Sequence, residues 1–270
     1  MPELPEVETS RRGIEPHIVG NKVTRVVVRN RHLRWPVSPA VDRNLLGAII
    51  TSVTRRAKYL LINTRRGSAI LHLGMSGSVF IVDRDTPAGV HDHVDIDFNS
   101  GKTLRFRDPR RFGSLHWSKA PLQHKLLKSL GPEPLDDEFD GDYLWQKSRG
   151  RRVSIKQFIM NAHIVVGVGN IYASESLFLA GINPKRAAGR VSRQRYAGLA
   201  AAIKDVLGKA IKAGGTTLRD FYGGDGEPGY FAQQLEVYDR DGEYCRYCNT
   251  VIRAFVQGQR STFYCKQCQT

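Results

Sequence analysis

The sequence predicts an α+β protein of two domains. A β-rich N-terminal half is expected to form a sandwich or barrel, and a helical half follows that ends in a small metal-stapled hairpin. Three observations predict this. Eight short segments rich in β-formers recur at fairly even intervals between residues 23 and 117. At Gly131-Pro132-Glu133-Pro134 the composition changes, and the signals beyond it are helical. The four cysteines of the chain fall in two C-x2-C pairs near its end. With 270 residues, 41% of them apolar, the chain can build two cores.

A first helix is expected from Pro5. Glu6 and Glu8 lie in its first turn, where carboxylates complement the helix dipole, and Val7, Ile14 and Ile18 recur at helical spacing. The strand candidates are Val23–Val28, Ile49–Val53, Tyr59–Ile62, Ala69–Leu73, Val79–Val82, His93–Phe98, Thr103–Phe106 and Ser114–Trp117, with turn residues between them. From Gly131 to about Arg149 the chain looks like a linker with one short helix at most. Helices follow at Val153–Met160, after Asn170 as the capping residue, and at Arg193–Ala213. In the second, Ile171, Leu177 and Phe178 form the buried side. In the third, Leu199, Ile203, Val206, Leu207, Ala210 and Ile211 form one stripe that Gly214-Gly215 ends. Thr216–Tyr230 is Gly-rich and expected to be mobile. Val251–Val256 and Ser261–Tyr264 read as two short strands joined by the turn Gln257-Gly258-Gln259-Arg260.

Charge narrows the partner. Lys and Arg number 41 against 26 Asp and Glu, a formal charge of +15, and the pI is near 9.9. Such an excess implies an anionic partner. No apolar run has membrane-spanning length, which favours nucleic acid over a bilayer. No basic-apolar signal peptide precedes the first helix, so a soluble, cytoplasmic protein is expected.

The termini carry the chemistry. Removal of Met1 would leave Pro2 as a free secondary amine beside the Glu3 carboxylate. Such an amine can attack an electrophilic carbon and form an iminium that cannot lose a proton at nitrogen. The positive end of the first helix would lower its pKa and enrich the nucleophilic form. At the other end, Cys245, Cys248, Cys265 and Cys268 have the spacing of a tetrahedral zinc site, with two disulfides as the alternative. Zinc would staple a hairpin too small to fold alone and set Arg260 at its tip, where it could meet a phosphate.

Three internal segments also offer nucleic-acid contacts. Asp108-Pro109-Arg110-Arg111-Phe112-Gly113 is a turn in which an Arg can replace a base by hydrogen bonding and a Phe can wedge into the stack. In His72-Leu73-Gly74-Met75-Ser76-Gly77, an exposed Met could fill the space a flipped base vacates. Val166-Gly167-Val168-Gly169-Asn170 lacks the third glycine of a dinucleotide fingerprint, but it could bind a phosphate at a helix N-terminus. Read singly, each of these suits an ordinary turn as well. Arg55-Arg56-Ala57-Lys58 reads equally as a basic strand edge. His91-Asp92-His93 has no third metal ligand in view, and His91 is better explained by a phosphate contact.

Taken together and in order, these segments closely resemble the bacterial formamidopyrimidine-DNA glycosylase family. The resemblance rests on Pro2-Glu3-Leu4-Pro5-Glu6, the His72–Gly77 and Asp108–Gly113 loops, Val166–Tyr172 and the C-x2-C pairs, and spans essentially the whole chain. It implies an N-terminal β-sandwich flanked by helices, a helix-two-turn-helix region and a zinc finger. The implied boundaries are 1–132, a linker at 133–150, helical DNA-binding region 151–222, lesion-capping loop 223–234 and zinc finger 235–270. It implies a monomer acting on damaged double-stranded DNA. The enzyme would excise oxidised purines, notably 8-oxoguanine and formamidopyrimidines, through a Schiff base on Pro2, and then nick the strand by β,δ-elimination. Base flipping would give access to the sugar.

The resemblance also implies residue roles. Glu3 would protonate or stabilise the opening sugar. Lys58 would serve the phosphate and the eliminations, and Arg260 the phosphate and the last elimination. Asn170 would hold the phosphate near the lesion. Met75, Arg110 and Phe112 would fill the hole left by the everted base. His72, His91 and Arg151 would contact DNA. Two alternatives stay open: the related endonuclease VIII branch, which prefers oxidised pyrimidines, and a non-catalytic zinc protein that binds damaged duplex.

Overall fold

The computed structural model describes residues 2–216 and 231–270. The expected mobile segment beyond Thr216, and the lesion-capping loop up to Tyr230, lie outside the described residues. The chain divides into two compact units. One holds the described residues up to Ser129 together with 213–216, and the other holds Leu130–Lys212 and Phe231–Thr270.

The first unit begins with α1 (Leu4–Ile18), which has Glu3 as N-cap and a proline in its first two positions. Leu4, Val7, Ile14 and Ile18 are buried along it, so the expected stripe is the packed face. After β1 (Val23–Val28) comes α2 (Pro39–Leu45), which sequence reading overlooked. Its start signal is nonetheless local. The Ser38 hydroxyl accepts the Ala40 N–H at 3.2 Å, and Pro39 opens the helix. Seven residues with Val41 and Leu45 buried one turn apart are too few to display a period.

The remaining strands of this unit are β2 (Ile50–Arg56), β3 (Tyr59–Thr64), β4 (Gly67–His72), β5 (Ser78–Asp83), β6 (Asp92–Phe98), β7 (Lys102–Arg107) and β8 (Ser114–Ser118). They form two four-stranded antiparallel sheets, ordered β1-β6-β7-β5 and β2-β3-β4-β8. Their apolar faces share one core. Val23, Val79, Val94, Ile96 and Leu104 from one sheet meet Ile50, Leu60, Ile62, Leu71 and Leu115 from the other. The α1 and α2 apolar residues join the same cluster, which makes the unit a sandwich with flanking helices. β6 is buried along its whole length because its outer face is closed by ion pairs: Asp95 meets Arg29 and Arg105, and Asp92 meets Arg107.

The second unit contains α3 (Gly141–Ser148), α4 (Ile155–Ile159), α5 (Asn170–Leu179) and α6 (Arg193–Lys212). α3 is the one short helix expected between residues 133 and 150. α5 departs from expectation at its start. Gly169, extended and without a side chain, is the N-cap, and Asn170 is the first helical residue. The Asn170 amide is engaged elsewhere, and a glycine cap costs only a few tenths of a kcal/mol relative to asparagine. Ile171 through Phe178 are all buried, so α5 is the central helix of the unit rather than an amphipathic one. The unit ends in a hairpin of β9 (Arg253–Gln257) and β10 (Arg260–Tyr264), paired Arg260 with Gln257 through Tyr264 with Arg253. β9 begins two residues later than expected, because Val251 pairs instead with Tyr244 in an isolated bridge.

Candidate active site and metal centre

The start of α1 is held by its own carboxylates. Pro2 and Glu3 are both buried. Glu6, the third residue of the helix, reaches back so that its Oε2 accepts the Glu3 N–H at 2.8 Å. This is the return half of a capping box. Its other oxygen accepts the Thr216 N–H at 2.8 Å. One buried carboxylate thereby binds the Pro2-Glu3 end to the segment entering residue 217. Sequence reading gave Glu6 only a dipole role. The N-cap-to-N3 spacing could have shown the first bond, but nothing local could have shown the second.

Lys58 sits in the two-residue turn between β2 and β3. Ala57, just before it, has φ of 55°, a left-handed backbone that a residue with a Cβ adopts only when its surroundings impose it. The β3–β4 register sets Tyr59 opposite His72, with ring centroids 4.7 Å apart. Burial, and then the positive charges of Lys58 and Arg34, push the His72 pKa down to about 4. The imidazole is therefore neutral, and its Nδ1 accepts the Gly74 N–H at 3.0 Å.

His72 opens a cavity of about 590 Å³ lined also by Arg34, Gly74, Met75, Arg111 and Phe112. Met75 and Phe112 are each 41% exposed, which is unusual for large apolar side chains on the rim of a core. The Arg110 guanidinium stands 4.9 Å from the centre of the Phe112 ring. The expected wedge trio is thus gathered at one edge of the sandwich.

Two glycines and one aspartate make this possible. A Cβ on Gly74 (φ 71°) would lie 2.4 Å from the Gly113 nitrogen, so the two loops touch backbone to backbone. Asp108, fully buried, ties them together. Its Oδ1 accepts the Ser76 hydroxyl at 2.8 Å, and its Oδ2 accepts the Gly113 N–H at 2.7 Å. Its own N–H donates to the His91 carbonyl at 2.9 Å. His91 itself is exposed, whereas His93 is buried with Nε2 at 2.8 Å from the Asp108 carbonyl, so these two histidines do not converge as ligands.

In the second unit, Asn170 and the base of the hairpin tip come together. Asn170 Nδ2 donates to the Ser261 carbonyl at 3.0 Å, which sets Asn170 beside the residue following Arg260. The same carbonyl accepts Lys156 Nζ at 3.0 Å, and Lys156 also donates to Thr262 Oγ1 at 2.8 Å. Lys156 is 1% exposed, a charge no sequence pattern singled out. An ammonium buried so deeply needs such acceptors, and here it anchors β10 to α4. Asn170 Oδ1 is buried without a protein partner among the described residues. Arg260 is exposed. Arg151 is exposed too, at the α3–α4 connection, and no contact among the described residues draws it into the Asn170 group.

The four cysteines converge as the spacing requires. Their sulfurs all lie within 4.8 Å of one another, with Cys245–Cys268 at 3.9 Å and Cys248–Cys265 at 3.4 Å. Four thiolates around a tetrahedral zinc with Zn–S near 2.3 Å would stand about 3.8 Å apart, so the donor set fits that ion. All four cysteines are free thiols rather than disulfides. Cys245 and Cys265 also belong to a small core with Phe178, Val237, Ile252 and Phe263. Gln269 Oε1 accepts the Cys265 N–H at 2.9 Å, while its amide donates to the Ile182 carbonyl at 3.0 Å.

A sandwich with Pro2-Glu3 ahead of its first helix, a helical unit and a four-cysteine hairpin make up the described chain. Residues 1–115 match the formamidopyrimidine-DNA glycosylase N-terminal domain, and residues 130–222 match the H2TH domain of the same enzymes. The chain belongs to the formamidopyrimidine-DNA glycosylase family. It is 59% identical over 269 residues to the formamidopyrimidine-DNA glycosylase of Stutzerimonas stutzeri (strain A1501) and 57% identical to that of Pseudomonas aeruginosa (strain LESB58), each match covering 100% of both chains. Among solved structures, it superposes on a Lactococcus lactis FPG mutant G226P bound to Fapy-dG-containing DNA with a TM-score of 0.92 at 32% identity, covering 100% of both chains. A MutM complex with carbocyclic 8-oxo-G-containing DNA gives 0.91 at 33%, again over 100% of both. The MutM (FPG) protein of Thermus thermophilus gives 0.89 at 34%, over 99% of this chain and 98% of that one. Among the described residues, no helix is long and apolar enough to cross a membrane.

Proposed function

We propose that this chain is a bifunctional glycosylase and lyase that removes oxidised purines from duplex DNA and then nicks the strand. The carrying observation is the clamped first turn: Pro2 and Glu3 are buried side by side, and Glu6 fixes the Glu3 backbone. The solved relatives captured on Fapy-dG and 8-oxo-G duplexes support the substrate class.

Removal of Met1 frees the Pro2 nitrogen. Its lone pair attacks C1′ of the damaged nucleotide, and the base departs with the bonding pair and takes up a proton. Glu3 gives a proton to the sugar ring oxygen as the C1′–O4′ bond opens, general acid work. The product is an iminium on Pro2. Loss of a C2′ proton then expels the 3′ phosphate, and a second elimination expels the 5′ phosphate. Lys58 serves these steps from its turn, and Arg260 and Asn170 hold phosphate. Met75, Arg110 and Phe112 occupy the space of the everted base, and His72, His91 and Arg151 meet the DNA backbone. Cys245, Cys248, Cys265 and Cys268 hold a structural zinc, which supplies the fold of the hairpin and no step of the reaction.

Borohydride trapping tests the reading. Protein shown by mass spectrometry to lack Met1 is mixed with a duplex carrying one 8-oxoguanine opposite cytosine. A reduced cross-link on Pro2 is expected, and P2G should lose it. Absence of any cross-link there, with cross-linking on thymine glycol duplex instead, would assign the chain to the pyrimidine-preferring branch. Absence on both would leave a DNA-binding protein without this chemistry.

A further inference from the structure

The Lys58 turn contains a device that the proposed chemistry does not name. Arg55 Nε donates to Glu8 Oε2 at 3.1 Å, and its Nη1 donates to the Ala57 carbonyl at 3.0 Å. Both side chains of the Arg55–Glu8 pair are only 11% exposed. Glu8 lies on α1, the helix whose N-cap is Glu3, and is itself held by Arg11 and Arg12. One guanidinium therefore spans from the helix that carries Pro2-Glu3 to the carbonyl of the left-handed residue immediately before Lys58. The fork is planar and pre-organised, so it fixes a direction as well as a charge.

We propose that Arg55 is a positioning residue: the Glu8–Arg55–Ala57 strut sets the Lys58 amine relative to the N-terminal amine. The inference rests on the elimination role of Lys58 given above. Arg55 acts through the turn that carries Lys58. It holds the left-handed backbone of Ala57 from which Lys58 follows, and it refers that turn to α1 rather than to the sheet alone. Displacement of a reacting group by about 1 Å can cost as much as 100-fold in rate.

The test is a double-mutant cycle on R55M and K58M, with R55K as a second variant that keeps the charge opposite Glu8. Single-turnover elimination is measured on a preformed abasic duplex, alongside borohydride trapping and the melting temperature. R55M and R55K should each slow elimination by roughly 10-fold or more while the initial trapping yield changes much less. R55K should melt near the parent protein, which separates misplacement from unfolding. In the K58M background, loss of Arg55 should add almost nothing, because its effect passes through Lys58. Additive losses in the cycle, or parental elimination by R55K, would overturn the strut. Parental elimination by K58M alone would instead remove the Lys58 role, and the inference with it.

Discussion

Replacing Asp108 by Ala should loosen the loops that carry Met75 and Phe112 more than any other single truncation at the sandwich edge. The carboxylate is fully buried and accepts two side-chain or backbone donors, Ser76 Oγ and the Gly113 N–H, at 2.8 and 2.7 Å. Alanine leaves the buried Gly113 N–H without its acceptor, which costs about 1–3 kcal/mol, and forfeits the Ser76 bond, worth about 0.5–1.5 kcal/mol. The sum is roughly 3 kcal/mol, and little is recovered by repacking because both loops are locked where Gly74 meets Gly113. Asparagine is the informative control. Its carbonyl can take the Gly113 N–H and its amide can donate to Ser76 Oγ, so only the charge assistance is lost, about 1 kcal/mol. Urea unfolding followed by fluorescence in a W145F background reports this unit, which carries Trp35 and Trp117, whereas Trp145 lies in the other. The expected order is parent, then D108N, then D108A, with single-turnover excision falling in the same order. If D108A lay within about 0.5 kcal/mol of the parent, or if D108N were the worse of the two, the hub argument would fail.

Other expectations follow from the same geometry. Chelation of the zinc proposed at the four cysteines should abolish DNA binding while the N-terminal sandwich keeps its unfolding transition, since the four sulfurs converge at the hairpin and not at the sheets; equal affinity of stripped and intact protein would contradict it. Duplex affinity should fall steeply with salt, and R260A should reduce the slope of log K against log salt by about 1; an unchanged slope would remove Arg260 from the phosphate contacts. His72 titrates in the folded protein near 4, below the 6.5 of a free imidazole. Between those values the unfolded chain binds the extra proton, so stability is full above about 6.5 and is lost as pH falls toward 4. The loss should be about 2–3 kcal/mol and should shrink in H72Q, as measured by urea midpoints across roughly pH 4–7; identical pH slopes would refute it.

Much of the architecture was legible from local signals. β-formers between turns marked all eight sandwich strands to within a few residues, because period and turn chemistry are properties of neighbours in sequence. The helix α2 escaped since seven residues hold one helical repeat at most. Asparagine has the local preference for a cap, but the Asn170 amide instead donates to the Ser261 carbonyl, 91 residues away, and to the Tyr238 hydroxyl, 68 residues away. The cysteine quartet was readable because two C-x2-C pairs carry the spacing that a tetrahedral thiolate site requires.

What the sequence determined by itself is the repertoire: Pro2-Glu3 ahead of the first helix, two C-x2-C pairs, a cationic excess and two glycine-containing loops that carry Met75 and Phe112. Tertiary structure alone decided how those groups are held. Glu6 bridges Glu3 to Thr216, Asp108 joins the Met75 loop to the Phe112 turn, Lys156 is buried against β10, and Arg55 links α1 to the Lys58 turn. The reason is physical. A helix or strand is selected by short-range periodicity, whereas a buried carboxylate or ammonium must find partners to offset its desolvation, and those partners are contributed by whichever distant segment the fold brings within about 3 Å.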